Sequence, residues 1–174
     1  RVYWDRRMEL QAVAQTDAYF ADLIKSNSSI SRLIDSDYTF MNENIAQVFY
    51  GRNDVKGDSL RKVATNDPRR GGIFTQPSVM TATANGVDTS PVVRGVWVLE
   101  NILGTPPSPP PPDVEPLSPD LRNAQTIREQ LDVHRKQQAC SGCHRKIDPL
   151  GFAFENFDPI GRWRERYPKV NGTI

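Results

Sequence analysis

Cys140-Ser141-Gly142-Cys143-His144 constrains this chain more than any other stretch of it. Two thiols two residues apart, followed at once by a histidine, match the attachment pattern of a c-type haem. The spacing has a mechanical logic. Two intervening residues make about one helical turn, which brings both sulfurs to one edge of a macrocycle. The histidine then points from the next position toward the iron, which it would bind as a neutral imidazole. These are the only 2 cysteines in 174 residues, so one such site exists and no second cysteine-based centre does.

Three other chemistries use the same residues. A thioredoxin-like pair also reads Cys-x-x-Cys, but it follows a strand in a βαβ setting. Here a polar helical stretch precedes the motif and Arg145-Lys146-Ile147-Asp148-Pro149 follows it. A structural zinc ion needs four ligands. The cysteines and histidines supply Cys140, Cys143, His134 and His144, of which the adjacent Cys143 and His144 fit one tetrahedral ion poorly. A disulfide is open to an exported chain.

Length suits one domain or two small ones. Hydrophobic residues make up 37%, enough for a modest core that a covalent haem would enlarge. The apolar runs fall short of the roughly eighteen residues that a membrane-spanning helix needs. With 22 Lys and Arg against 21 Asp and Glu, the net charge of +1 gives no support for nucleic-acid binding. Thioether attachment takes place on the oxidising side of a membrane, so a periplasmic or otherwise exported protein is expected. The chain opens on Arg1 and closes on a polar stretch after Pro168, which reads as a piece of a larger protein.

Periodicity predicts an amphipathic helix over 8–25, with Leu10, Val13, Ala14, Asp17, Ala21 and Ile24 on its stripe. A helical turn is expected over 28–34. Tyr38 to Asn42 is read as the entry to a second helix, capped by Asn42 and closed by Gly51. Residues 51–90 read as turns and loops, with helix and strand equally compatible with Ile73 to Thr83. Ser90-Pro91 starts a helix, with Val92, Val96, Leu99 and Leu103 on one face, Trp97 beside it and Gly104 at its end. Pro106 to Pro112 should be an extended polyproline spacer. Its alternative role is docking to an aromatic groove. Thr126 to Gln138 reads as a helix with Ile127, Leu131 and His134 facing inward. Phe152, Phe154, Phe157 and Trp163 follow the motif as one wall of an apolar pocket or as ordinary core. The resulting organisation is an N-terminal helical region (1–104), a Pro-rich spacer (105–123) and a haem-attachment region (124–174).

From residue 70 onward the wording resembles a known family. Arg70-Gly71-Gly72, Thr89-Ser90-Pro91-Val92, the run from Arg94 to Gly104 and the prolines look like the planctomycete-type cytochrome domains, the domains of unknown function 1592 and 1588. His134-Arg135, Cys140 to His144, Ile147 to Phe152, Glu155 to Asp158 and Gly161 to Arg164 continue the likeness. Tyr38 to Glu43 resembles the end of the earlier domain. The resemblance implies larger exported proteins with further domains, and it strengthens haem binding without naming a substrate.

A mainly α fold with long irregular loops follows, its haem-binding half cytochrome c-like. The expected cofactor is one covalent haem c. The expected role is single-electron transfer with redox protein partners and with other domains or chains of the parent protein. A peroxidase- or oxidase-like enzyme domain and a haem-stapled structural module are the alternatives. His144 is the proximal ligand, and His134, Met80, Met41 and Met8 are candidates for the far side of the iron. Arg94 and Arg162 are candidate propionate partners. Trp97, Phe152 and Trp163 are candidates to line the macrocycle. Replacing His134 and Met80 separately tests the two leading distal ligands. Loss of the native iron spectrum identifies the ligand, and an unchanged spectrum removes that residue.

Overall fold

A computed structural model describes residues 5–86, 89–109, 128–129, 131 and 138–166. The elements run α1 (Arg6–Lys25), a 3-10 turn (Ile30–Leu33), β1 (Tyr38–Met41), α2 (Glu43–Tyr50), β2 (Arg61–Ala64), α3 (Pro77–Ala82), α4 (Pro91–Asn101) and α5 (Gln138–Phe152). The fold is mainly helical with long connections, as expected. It divides into two compact units, one of Arg1–Thr89 with Phe157–Trp163, the other of Ser90–Asn156 with Arg164–Ile174.

In the first unit, α1 begins at Asp5, whose carboxylate accepts from the Met8 amide at 2.8 Å. Its buried stripe is Ala12, Gln15, Tyr19 and Leu23. That corrects the sequence-based face: Leu10, Val13 and Ile24 are exposed, Ile24 by 78%. The physical reason is that the inward face carries polar ends with partners. The Tyr19 hydroxyl donates to the Arg32 carbonyl at 2.5 Å, and Gln15 Nε2 donates to Thr39 Oγ1 at 3.1 Å and to the Tyr50 hydroxyl at 2.9 Å. A hydropathy pattern scores such residues as surface.

Tyr38–Met41 is a strand rather than a helix entry. It pairs antiparallel with β2, Tyr38 opposite Ala64 and Met41 opposite Arg61. Asn42 then caps α2, its Oδ1 accepting from the Ile45 amide at 2.9 Å, and Gly51 closes the helix at φ +64. Met41, Ile45, Ala46, Phe49 and Val55 form the core, with Met8 and Ile160 packed against it. Each large side chain buried there stabilises by roughly 1.5–3 kcal/mol.

Arg70 joins this unit's separate segments. Its guanidinium donates to the carbonyls of Phe49 at 2.5 Å, Gly161 at 2.9 Å and Thr75 at 3.1 Å. The rings of Tyr50 and Phe157 flank it at 4.2 and 5.0 Å. Burial pushes its pKa down, and the three carbonyls and two ring faces offset that cost. Gly72, at φ +56, lies so close to the Leu33 carbonyl that no side chain fits there.

The second unit is built on α4 against α5. Ser90 caps α4, its hydroxyl accepting from the Val93 amide at 3.4 Å, and Pro91 holds the first turn. The buried face is Pro91, Arg94, Gly95, Val98 and Leu99. Leu103, placed on the stripe by periodicity, is instead exposed. Leu103 lies past the end of the helix, and the glycines set which face of it is buried. A Cβ at Gly95 would overlap the Ile147 carbonyl, and one at Gly151 would overlap the Pro91 carbonyl. The two backbones meet where side chains are missing, and hydropathy does not register a missing side chain. The expected helix over 126–138 lies largely outside the described residues. Arg128, Glu129 and Leu131 within it are helical, and Leu131 is fully buried.

Gly95→Ala tests the crossing. Alanine favours an isolated helix by about 1 kcal/mol over glycine. Forcing a methyl into a closed contact costs about 1–3 kcal/mol. The clash is backbone against Cβ, so the variant is expected to be less stable by denaturant unfolding. Unchanged or increased stability would mean that the helices do not meet at Gly95.

Candidate functional site

The attachment motif lies inside α5, which brings its three reactive side chains to one face. Cys140, Cys143 and His144 stand at i, i+3 and i+4, and residues so spaced are neighbours on a helix surface. Cys140 is buried, with 6% exposure, and Cys143 and His144 are half-buried. No disulfide joins Cys140 to Cys143. Gly142 and Ser141, between the sulfurs, are exposed.

His144 is oriented from within its own helix. Its Nδ1 lies 2.8 Å from Oδ1 of Asp148, one turn on, and the Asp148 residue is only 1% exposed. A carboxylate accepts only, so Nδ1 carries the hydrogen, and in the neutral imidazole Nε2 then keeps its lone pair. That is the tautomer an iron ligand requires. Pro149 follows inside the helix and removes the bond that would otherwise reach the Arg145 carbonyl.

The rest of the second unit holds α5 in place. Arg94, 2% exposed, donates from Nη1 to the Phe154 carbonyl at 2.7 Å, tying α4 to the turn after α5. Arg128 pairs with Glu155, and its guanidinium lies 4.1 Å from the centre of the Phe152 ring. Asn156 and Arg164 exchange bonds, Arg164 N to Asn156 O at 2.8 Å and Asn156 Nδ2 to Arg164 O at 3.0 Å. Trp97 and Phe152 are half-buried, and Ile147 is buried under Gly95. Arg145 and Lys146 stand exposed on α5.

The other sequence candidates lie in the first unit or outside the described residues. Met80 is buried in α3 beside Gly161. Met41 is buried in the core cluster, with Met8 packed against it. Trp163 pairs with Phe157 as an isolated β-bridge, their rings edge to face at 5.2 Å, and Arg69 lies 4.8 Å from its centroid. Arg162 pairs with Asp158 at 2.7 Å, and Asp158 Oδ1 also accepts from the amides of Ile160 and Arg162, as a turn cap does. His134 lies outside the described residues.

Asp148 is a site residue that the sequence analysis gave no role. The signal was present in its i+4 spacing from His144, but Pro149 argued against a helix continuing that far.

The residues present fit a covalent haem c. No disulfide joins the thiols, they share a face with the imidazole, and the Nδ1 bond to Asp148 favours the ligating tautomer of the neutral ring. Among the described residues, no three His, Cys, Asp or Glu side chains cluster as a metal site of protein ligands alone.

Comparison with known proteins agrees with this donor set. The family model described as PSCyt3, a protein of unknown function (DUF1588), matches residues 70–167. That described as PSD4, a protein of unknown function (DUF1592), matches residues 2–51. They are the two families whose motifs the sequence resembles. No curated protein and no solved structure matches.

Single replacement of Cys140 or Cys143 by serine is expected to leave haem held by one thioether, shifting the band of the alkaline pyridine complex. The double replacement is expected to lose haem on denaturing extraction. Haem retained by the double variant would mean that attachment lies elsewhere.

Proposed function

Because this chain belongs to the DUF1588 family and carries one haem c attachment site on a single helix face, we propose that it works as a one-electron relay within a larger exported protein. The observation that carries the reading is the face shared by Cys140, Cys143 and His144, with Asp148 holding the imidazole. Each thiol adds across a haem vinyl group, sulfur to one carbon and hydrogen to the other, with no net oxidation. The bound haem supplies a ferric/ferrous couple that takes up and releases one electron.

The chain's own residues do the rest. Cys140 and Cys143 fix the macrocycle to α5, and His144 offers Nε2 to the iron while its Nδ1 hydrogen stays with Asp148. The Gly95 and Gly151 contacts clamp α5 to α4, so the ligand has little freedom to move as charge changes. A rigid ligand set keeps reorganisation small, which suits electron transfer.

Arg145 and Lys146, exposed on the motif helix, suit an acidic face on a redox protein partner. Arg94, Trp97, Phe152 and Trp163 are proposed contributors to the haem environment, and Met80 and His134 are proposed distal ligands. Among the described residues no helix is long and apolar enough to cross a membrane. Placement on the oxidising side of a membrane is proposed from the thioether chemistry.

Visible spectra of the native holoprotein during a redox titration test this reading. The expected result is a low-spin iron that cycles reversibly as a one-electron couple. A high-spin iron that binds small ligands would contradict it and favour an enzyme with an open distal site.

A further inference from the structure

The partner of a ligating histidine's second nitrogen sets how strongly the first donates. At His144 that partner is a carboxylate: Asp148 Oδ1 lies 2.8 Å from Nδ1. Asp148 is almost sealed from solvent, at 1% exposure, so water does little to screen its charge. The pair lies on one helix at i and i+4, and the neighbouring Ile147 is clamped under Gly95, so its geometry is held by the same contact that holds the motif. The nearby cations of the helix, Arg145 and Lys146, are exposed and screened.

Donation of the Nδ1 hydrogen to an anion raises electron density on Nε2. A stronger donor beside a buried negative charge stabilises the ferric iron, which carries one more positive charge, over the ferrous. We propose that Asp148 is a positioning residue that fixes the His144 tautomer and lowers the reduction potential of the attached haem, making this centre an electron donor to higher-potential partners. Hydrogen bonding to an iron ligand is one of the levers through which a protein tunes a haem. The inference rests on the haem-binding reading above and adds to it the direction in which the relay is poised.

Asp148→Asn keeps the shape and an acceptor oxygen while removing the charge. Wild-type, D148N and D148E holoproteins would first be checked for haem that survives denaturing extraction, then titrated for midpoint potential. The expected result is a shift to more positive potential in D148N and a return toward the wild-type value in D148E. Equal potentials in wild type and D148N, with haem attached in both, would overturn the role of Asp148 and leave haem binding intact. Wild-type protein that lacks attached haem would remove both.

Should D148N fail to accumulate, proton NMR of the wild-type ferric protein decides the same point. A slowly exchanging, paramagnetically shifted Nδ1 hydrogen of His144 is expected, and rapid exchange of that hydrogen would overturn the bond to a buried carboxylate.

Discussion

Backbone meets backbone where α4 crosses α5, because Gly95 and Gly151 carry no side chain. Much of the second unit depends on that approach. It buries Ile147 and seats the motif helix. It also leaves Arg94 close enough to bond the carbonyl of Phe154 just beyond the helix. The haem-attachment face is thus carried on an element fixed by a contact that tolerates no added methyl. A ligand set built on a fixed helix is pre-organised, whereas one on a loop would have to be ordered at each change of charge.

Charge is handled differently in the two units. In the first, a buried guanidinium at Arg70 is satisfied by three carbonyls and two aromatic rings. In the second, the nearly sealed carboxylate of Asp148 is bonded to the Nδ1 side of the His144 imidazole. Removing one partner of such a buried set exposes the other to the full desolvation cost. Arg70 holds segments together, and Asp148 instead sets the chemistry of its neighbour.

The attachment site was legible in the sequence because its spacing is its chemistry: the order Cys140, Cys143, His144 leaves few alternatives. Helix caps were legible for a similar local reason, as Asn42 and Ser90 show. Buried faces were less so. On α1 the inward stripe contains Gln15 and Tyr19, whose polar ends find partners far along the chain. On α4 it contains Arg94 and Gly95. Neither a paired polar group nor an absent side chain registers in a hydropathy pattern. Tyr38–Met41 read as a helix entry because the strand pairing that defines it comes from Arg61–Ala64, a segment with no strong pattern of its own. The role of Asp148 needed the helix to run through Pro149, against the local expectation.

Everything functional here follows from a haem joined covalently to Cys140 and Cys143. Intact-mass measurement of the purified, denatured protein, made with competent attachment machinery, tests that most directly. The account predicts a mass equal to the chain plus one haem, with both thiols blocked to alkylation. A mass equal to the chain alone, or lower by the two hydrogens lost in a Cys140–Cys143 disulfide, would contradict it.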